Sequence, residues 1–303
     1  MVEPSSNMAS HITGQTLLTP AINNWESYLN DQGKSPHTVK AFMSDIRLLA
    51  EYLPPDHSLG SITKRDLENF LEWLEKGRNI PCSPKTLARR ITSLKSFFRW
   101  LTTYSVITFN PADEIPQRTV ISPLPEVLTD EEVTAVLNTA NQHRWDAKRD
   151  ARPYTLLSLL LATGIKKSEC LGIHLNHLEL ESPEGPYVFI RYASQSNRYK
   201  ERKITLPDEW VDAFHEYVAQ YEPVDQLFPW SPRRLEYLLE DIGKEANLTK
   251  HLSFDMCRWT SSLIDISNNV DPDKIRQKLG ISKIQWREIS DKLQKLSSPG
   301  SLE

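Results

Sequence analysis

Glycine and cysteine are both scarce in this chain of 303 residues, which contains ten glycines and three cysteines. The glycines form neither GxGxxG nor GxxxxGKS/T, so the usual dinucleotide and P-loop phosphate sites have no support. The cysteines, Cys82, Cys170 and Cys257, are far apart and form no CxxC pair. This spacing argues against a disulfide framework or a thiolate metal site and favours a reducing compartment. We expect neither a metal nor another cofactor.

Long apolar runs and a strong charge imbalance are also missing. No run approaches the roughly 18 apolar residues that cross a membrane, and the polar residues 1–15 lack a signal-peptide pattern. We therefore expect a disordered tail there, no membrane partner and a cytoplasmic protein. The net charge is −4, from 36 basic and 40 acidic residues. That balance excludes a chain that is basic throughout but permits a local basic surface.

The C-terminal end has two further absences. Tyr237 is the last tyrosine and His251 the last histidine, so the final fifty residues contain neither. Any chemistry that needs a C-terminal tyrosine or histidine is therefore excluded from that region.

Apolar periodicity and capping signals predict a mainly α-helical protein of two domains with a small antiparallel sheet. The boundaries are a helical domain at 16–112, a proline-rich linker at 113–127, a mixed, mostly helical domain at 128–296 and a tail at 297–303. The predicted helices are 19–31, 35–53, 63–75, 84–106, one from 129, 151–163, 208–221, 231–246, 255–267, 271–279 and 284–296. The predicted strands are 187–193 and 202–206.

The helix at 84–106 lies in a basic segment. Residues 76–112 contain seven Lys or Arg and no acidic residue. A solvated helix face is the ordinary explanation for a charge run, but such faces usually mix both signs. One face of this helix carries Lys85, Arg89 and Arg99 with small hydroxyl residues between them, an arrangement that can lie against phosphates. We therefore favour a nucleic-acid contact.

Several short motifs, in order along the chain, resemble tyrosine recombinases, the phage-integrase and Xer family. The resemblance covers roughly residues 17–296. It implies a helical core-binding (SAM-like) domain and a recombinase catalytic-like domain, which together clamp duplex DNA. The motifs are SPHTVKAFMSDIRLLAEYL (35–53), TGIKKSE (163–169), KERKITLP (200–207), DMCRWT (255–260), NNVD (268–271) and KLGIS (278–282).

Members of this family cleave one DNA strand with a tyrosine that becomes linked to the phosphate, while two arginines and a histidine hold that phosphate. Lys166 stands at the position of the first arginine, where it keeps the charge but loses the bidentate fork. Arg258 matches the second arginine. Asp255 replaces the histidine and would repel a phosphate, and Ser290 stands where the tyrosine is expected.

The remaining positions also depart from the family pattern. The lysine of the β-hairpin, a proton donor in the family, is replaced by Asn197, or by Arg198 if the turn is shifted; Lys200 follows on the strand side. Trp259 stands after the second arginine, and Ile281 replaces the histidine of the LGH motif.

Because no tyrosine follows Tyr237, no small shift of register restores the nucleophile. We therefore interpret the chain as a non-catalytic, nucleoid-associated DNA-binding or regulatory protein of recombination and integration. Two alternatives stay open: an active recombinase with a displaced active site, and a protein scaffold without DNA. The expected partners are double-stranded DNA and, through helix 284–296, a second copy of the chain or another recombinase. The predicted phosphate contacts are Lys85, Arg89, Arg90, Arg99, Lys166, Arg198, Lys200 and Arg258.

Overall fold

The computed structural model describes residues 12–78, 80, 82–118 and 123–297, although the Ser196 side chain is not described. The chain divides into two compact units, with the boundary between residues 122 and 123. We call them the N-terminal unit and the C-terminal unit. The boundary falls within the segment 113–127, and residues 119–122 of that segment lie outside the described residues.

Within the described residues, the N-terminal unit consists of four α-helices joined by short connections. A π-helical turn, Trp73–Gly77, follows α3. Serine hydroxyls begin two of the helices, since Ser35 accepts a hydrogen bond from the Thr38 amide and Ser83 accepts one from the Thr86 amide. The helices are α1 (Leu18–Asp31), α2 (Pro36–Tyr52), α3 (Lys64–Glu72) and α4 (Pro84–Thr103).

Helix α4 supplies the central core face of this unit. The predicted stripe of five apolar side chains is confirmed as buried, and the structure adds Phe97 and Trp100 to it. Phe97 meets Trp25 of α1 edge to face, with ring centroids 5.1 Å apart. The helix ends at Thr103, before the predicted residue 106, because Ser105 takes a left-handed conformation with φ of 58°. The stripe is Leu87, Ile91, Leu94, Phe98 and Leu101.

Two segments that the sequence assigns to a tail and a linker pack partly into this core. Ile12 is buried, and the Gly60 amide donates to the Gly14 carbonyl at 2.7 Å, so residues 12–15 belong to the folded unit rather than to a tail. Ile115 at the start of the linker is also buried. Residues 1–11 and 298–303, the rest of the predicted tails, lie outside the described residues.

The C-terminal unit is mostly helical and contains a small antiparallel sheet in the order β1-β2-β3, with Val188 opposite Ile204. Sequence analysis predicts β2 and β3 but misses the two-residue β1 and the five-residue α7. The helices are α5 (Asp130–Gln142), α6 (Arg152–Thr163), α7 (Lys167–Leu171), α8 (Asp208–Tyr221), α9 (Pro232–Glu245), α10 (Phe254–Ser267), α11 (Pro272–Lys278) and α12 (Lys283–Ser297). The strands are β1 (Leu178–Glu179), β2 (Tyr187–Ile190) and β3 (Arg202–Thr205).

Helix α6 is the core helix of the C-terminal unit, as its leucine-rich sequence predicts. It packs against α5, α8, α9 and α10 and ends at Gly164, which has a φ of 59°. A Cβ at Gly164 would lie 3.1 Å from the Ser261 hydroxyl, so both the backbone and the space favour glycine there. This tight end of α6 brings residues 164–169 against α10.

No helix in the described part of the chain combines the length and the apolar character needed to span a membrane.

We expect Phe97→Ala to lower the free energy of unfolding by about 3–5 kcal/mol, because it opens a cavity against Trp25 in a closely packed core. Urea denaturation followed by circular dichroism measures the change. Arg99→Ala on the exposed face of the same helix is the control and should stay within about 0.5 kcal/mol of the wild type. Equal losses in the two variants would contradict this packing.

Candidate functional site

Arg258 holds together three segments of the C-terminal unit. Its side chain extends from the first turns of α10, which begins after the N-cap Ser253. One terminal nitrogen donates to the Gly164 carbonyl and the other donates to the Leu279 carbonyl at 2.8 Å. Burial lowers the pKa of Arg258 from its ordinary value. The guanidinium therefore connects α10 to the end of α6 and to the end of α11.

A buried carboxylate, Glu169 of α7, lies beside this arginine. Arg202 donates to both of its oxygens, at 3.1 and 2.9 Å, and the Tyr192 hydroxyl donates a short hydrogen bond to it. The Lys166 amide donates to the same carboxylate at 2.9 Å. Burial alone would raise the pKa of Glu169, but the hydrogen bonds and the charge of Arg202 outweigh it and lower the pKa. Glu169 is therefore an ionised, fully paired anion.

The same burial and the neighbouring Glu169 carboxylate raise the pKa of Tyr192 to about 12. The Tyr192 phenol thus stays protonated near neutral pH and acts as a hydrogen-bond donor to Glu169. Arg202 also donates to the Lys278 carbonyl, and a Cβ on Gly280 would collide with its guanidinium. The close approach explains why glycine occupies position 280, where φ is 61°.

Lys166 lies in a group of cations and makes no ion pair within the described part of the chain. Burial lowers its pKa, as do Arg258, Lys200 and Arg202, while Glu169 acts in the opposite direction. No described residue accepts a hydrogen bond from the Lys166 ammonium group. Four cationic side chains therefore gather around one buried carboxylate, and this excess of positive charge favours an anion as the missing partner.

Lys166 and Arg258 line a cleft of about 560 Å³, to which α9 contributes Arg233, Tyr237 and the two acidic residues Glu236 and Glu240. Asp255 is exposed and also lines the cleft, and its charge acts on Arg258. On α9, the Arg233 side chain donates to the Tyr237 hydroxyl at 2.7 Å. His251 also lines the cleft. Sequence analysis does not assign Tyr237 to a site, because this tyrosine lies in no motif of the family.

The hairpin residues stand at the edge of this arrangement. Residues Gln195–Lys200 form a 3₁₀ turn between β2 and β3. The Lys200 ammonium donates to the Asn197 side chain at 2.8 Å and is close enough to Lys166 to act on its charge. Arg198 is exposed on the same turn. Lys200 therefore belongs to the group of cations around Lys166, and neither Lys200 nor Arg198 lines the cleft.

Ser290 lies outside the cleft of Lys166 and Arg258. It is on α12, where its hydroxyl donates to the Arg287 carbonyl at 3.0 Å. It lines a separate groove together with Ile275 and Trp286. Ile281, at the position of the LGH histidine, is buried in the small apolar cluster beside that groove. Sequence order alone could not show that Ser290 and Arg258 face different grooves.

The predicted phosphate-contact residues of the N-terminal unit differ in exposure and in whether an acidic residue pairs with them. Lys85 and Arg99 are exposed on α4. Arg89 makes a short ion pair with Asp45 of α2, and Arg90 lies 3.5 Å from the other oxygen of that carboxylate. Arg90 is the more buried of the pair, with 15% of its side chain exposed against 39% for Arg89. The acid-free segment 76–112 therefore finds its counter-charge on another helix.

Among the residues that the structure describes, no cluster of three or more His, Cys, Asp or Glu is placed to hold a metal ion.

We expect Lys166→Met to leave the free protein as stable as the wild type, or more stable by up to about 1 kcal/mol. The substitution keeps the apolar stem but removes a half-buried charge that three other cations repel. Urea denaturation measures this. Lys167→Met is the matched control, since Lys167 is more exposed and pairs with Glu236 at 2.6 Å. A loss above about 1 kcal/mol in Lys166→Met alone would show that the Lys166 charge stabilises the fold.

Comparison with known proteins supports the fold and identifies the family. A model of the phage integrase N-terminal SAM-like domain matches residues 22–104, and the phage integrase family model matches residues 126–288. A tyrosine recombinase of Thermosipho africanus is 26% identical over 263 residues, covering 84% of this chain and 88% of that protein.

One further relative and one solved structure extend this likeness. Tyrosine recombinase XerC of Lacticaseibacillus casei is 25% identical over 282 residues, covering 88% of this chain and 91% of that protein. A crystal structure of a lambda integrase dimer bound to a COC′ core site has a similar fold, with a TM-score of 0.72 at 14% identity, and the match covers 95% of this chain and 81% of that one. Since the second family model spans more than half of the sequence, the chain belongs to the phage integrase family.

Proposed function

We propose that this protein binds duplex DNA through phosphate contacts and does not cleave it, acting as a DNA-binding or regulatory member of its family in recombination or integration. We also propose that the protein is cytoplasmic and associated with the nucleoid. The observation that carries the DNA-binding proposal is the Lys166 ammonium, which is half-buried among cations and has no hydrogen-bond acceptor among the described residues. A DNA phosphate would supply the missing negative charge and acceptor oxygens. The lambda integrase dimer of similar fold is bound to a DNA core site.

Three features of the C-terminal unit support binding without strand cleavage. Ser290 lines a groove other than the one that Lys166 and Arg258 line. Asp255 puts a carboxylate into the cleft of Lys166 and Arg258. There its negative charge repels, and so destabilises, the negative charge that builds up when a phosphate is attacked. Two N–H groups of Arg258 donate to backbone carbonyls, which commits part of the guanidinium to the fold. These features leave a site that holds a phosphate and lacks a nucleophile at the expected position.

The C-terminal helix α12 is the proposed contact with a second copy of the chain or with another recombinase. It packs on α10, and Leu293 and Leu296 are its buried residues, while Ile284 near its start is 80% exposed. An exposed isoleucine is a feature that a protein partner can cover.

We expect the protein to bind mixed-sequence duplex DNA with an affinity that falls steeply with salt. The double variant Lys85→Gln/Arg99→Gln should weaken binding and reduce the slope of log affinity against log salt by about 2, because each side chain neutralises about one phosphate. Fluorescence anisotropy from ~50 mM salt upward measures both quantities, in the range where phosphate contacts are strong.

Lys292→Gln on α12 is the control and should change neither quantity, since Lys292 pairs with Glu288 at 2.9 Å. No binding of the wild type at the lowest salt concentration would contradict the proposal and favour the protein scaffold.

A displaced active site is the second candidate, and Tyr237 is the observation that favours it. This tyrosine lines the cleft of Lys166 and Arg258, and Arg233 donates a hydrogen bond to its hydroxyl. A phenolate stabilised by an arginine can attack a phosphodiester. In that reaction the Tyr237 hydroxyl would give up its proton and its oxygen would bond to phosphorus. The bond to the leaving 5′ oxygen would break, and that oxygen would take up a proton in place of the one that Tyr237 loses.

A nicked suicide substrate separates the two candidates, because loss of the short leaving strand traps any covalent protein–DNA adduct. We expect no adduct under conditions where the wild type binds the DNA. Denaturing gel electrophoresis of labelled DNA detects it. An adduct that disappears in Tyr237→Phe would establish the displaced active site, and one that disappears in Ser290→Ala would assign the attack to the serine.

A further inference from the structure

Asp45 is a buried carboxylate beneath the basic face of α4. It lies on α2, and only 3% of its side chain is exposed. One oxygen accepts hydrogen bonds from Arg89 and from the Ser93 hydroxyl, the latter at 2.7 Å. The other oxygen is 3.5 Å from the Nε of Arg90. Burial of an unpaired carboxylate lowers stability strongly, and the two arginines beside Asp45 supply the pairing that it needs.

The charges around Asp45 do not balance. Two guanidinium groups share the single carboxylate, and their other hydrogen-bond partners among the described residues are neutral: the Ser93 hydroxyl on Asp45, the Ala41 carbonyl on Arg89 and the Cys82 sulfur on Arg90. One positive charge is therefore left over. Of the two arginines, Arg89 is the more exposed, so it is the one that an anion from outside can reach, although it also makes the short ion pair with Asp45.

Asp45 also restricts where the Arg89 side chain can go. One terminal nitrogen of Arg89 donates both to Asp45 and to the Ala41 carbonyl, at 3.2 Å for the latter. Its second terminal nitrogen and its Nε have no acceptor among the described residues. With 3.6 residues per turn, Arg89 lies on the same face of α4 as Lys85 and Arg99. The tethered guanidinium thus keeps unused donors at the basic face.

We propose that Asp45 is a positioning residue for DNA binding: it holds the Arg89 guanidinium so that its free N–H groups are ready to meet a phosphate. This inference rests on the proposed function and adds a residue that touches no DNA. Its physical basis is pre-organisation, since an arginine already fixed on the protein loses less side-chain freedom when it binds.

A purely structural ion pair is the competing explanation, and it makes a different prediction. In that case, removal of Asp45 changes the stability of the N-terminal unit but not the affinity of the folded protein for DNA. A general electrostatic effect is also separable, because removal of any negative charge from α2 would then strengthen DNA binding. Glu51 on α2 is exposed, so Glu51→Gln measures that effect alone.

The test is a double-mutant cycle on DNA affinity, measured by fluorescence anisotropy at fixed salt with folding checked by circular dichroism. Asp45→Asn should weaken binding by about three- to tenfold, the cost of ordering one long side chain. In the Arg89→Ala background the same substitution should have no effect, because the residue that Asp45 positions is gone. Glu51→Gln should leave the affinity unchanged or raise it slightly.

Ser93→Ala is the second variant, and it keeps the result interpretable if Asp45→Asn does not fold. It removes the hydroxyl that orients Asp45 while keeping every charge, so we expect a smaller loss of affinity that again vanishes with Arg89→Ala. Unchanged or stronger binding by folded Asp45→Asn, or equal losses with and without Arg89, would overturn the inference while DNA binding by the wild type still stood. Absence of wild-type binding would instead overturn the proposed function.

Discussion

The group of four cations in the C-terminal unit, Lys166, Lys200, Arg202 and Arg258, depends on one buried anion, Glu169. Four cationic side chains around Glu169 would repel one another strongly in a partly buried site. The negative charge of the Glu169 carboxylate offsets this repulsion and allows them to lie close together. Glu169 binds Arg202 through both oxygens and accepts the Lys166 amide, so it fixes the backbone as well as the charge. Arg258 completes the arrangement by tying α10 to the ends of α6 and α11. The remaining positive charge is available to an anion from outside.

The N-terminal unit follows the same physical logic on its own. Asp45 lies under α4 as Glu169 lies under the cleft, and in both places one carboxylate supports more positive charge than it neutralises. In each place the positive charge is only partly neutralised by the protein itself. This imbalance lowers stability, and natural proteins accept such a loss at functional positions. Both units thereby combine a folded, buried anion with an accessible cationic surface.

Much of the fold could be predicted from the sequence because helix caps and apolar stripes are local signals. Ser35 and Ser83 begin their helices as expected, and the buried face of α4 follows from its periodicity. Long-range pairing could not be predicted: Asp45 lies 44 residues from Arg89 in the chain, and Arg202 lies 33 residues from Glu169. The placement of Ser290 and of Tyr237 was missed for the same reason, since motif order does not show which groove a side chain lines.

The most direct test of the central claim is a structure of the protein bound to duplex DNA. The account predicts a phosphate within hydrogen-bond distance of the Lys166 ammonium group and of the Arg258 guanidinium, with the DNA strand intact and no covalent bond to the protein. A duplex that leaves both side chains without a phosphate would contradict the binding site. A phosphate joined covalently to Tyr237 or Ser290 would contradict the claim that the protein does not cleave DNA.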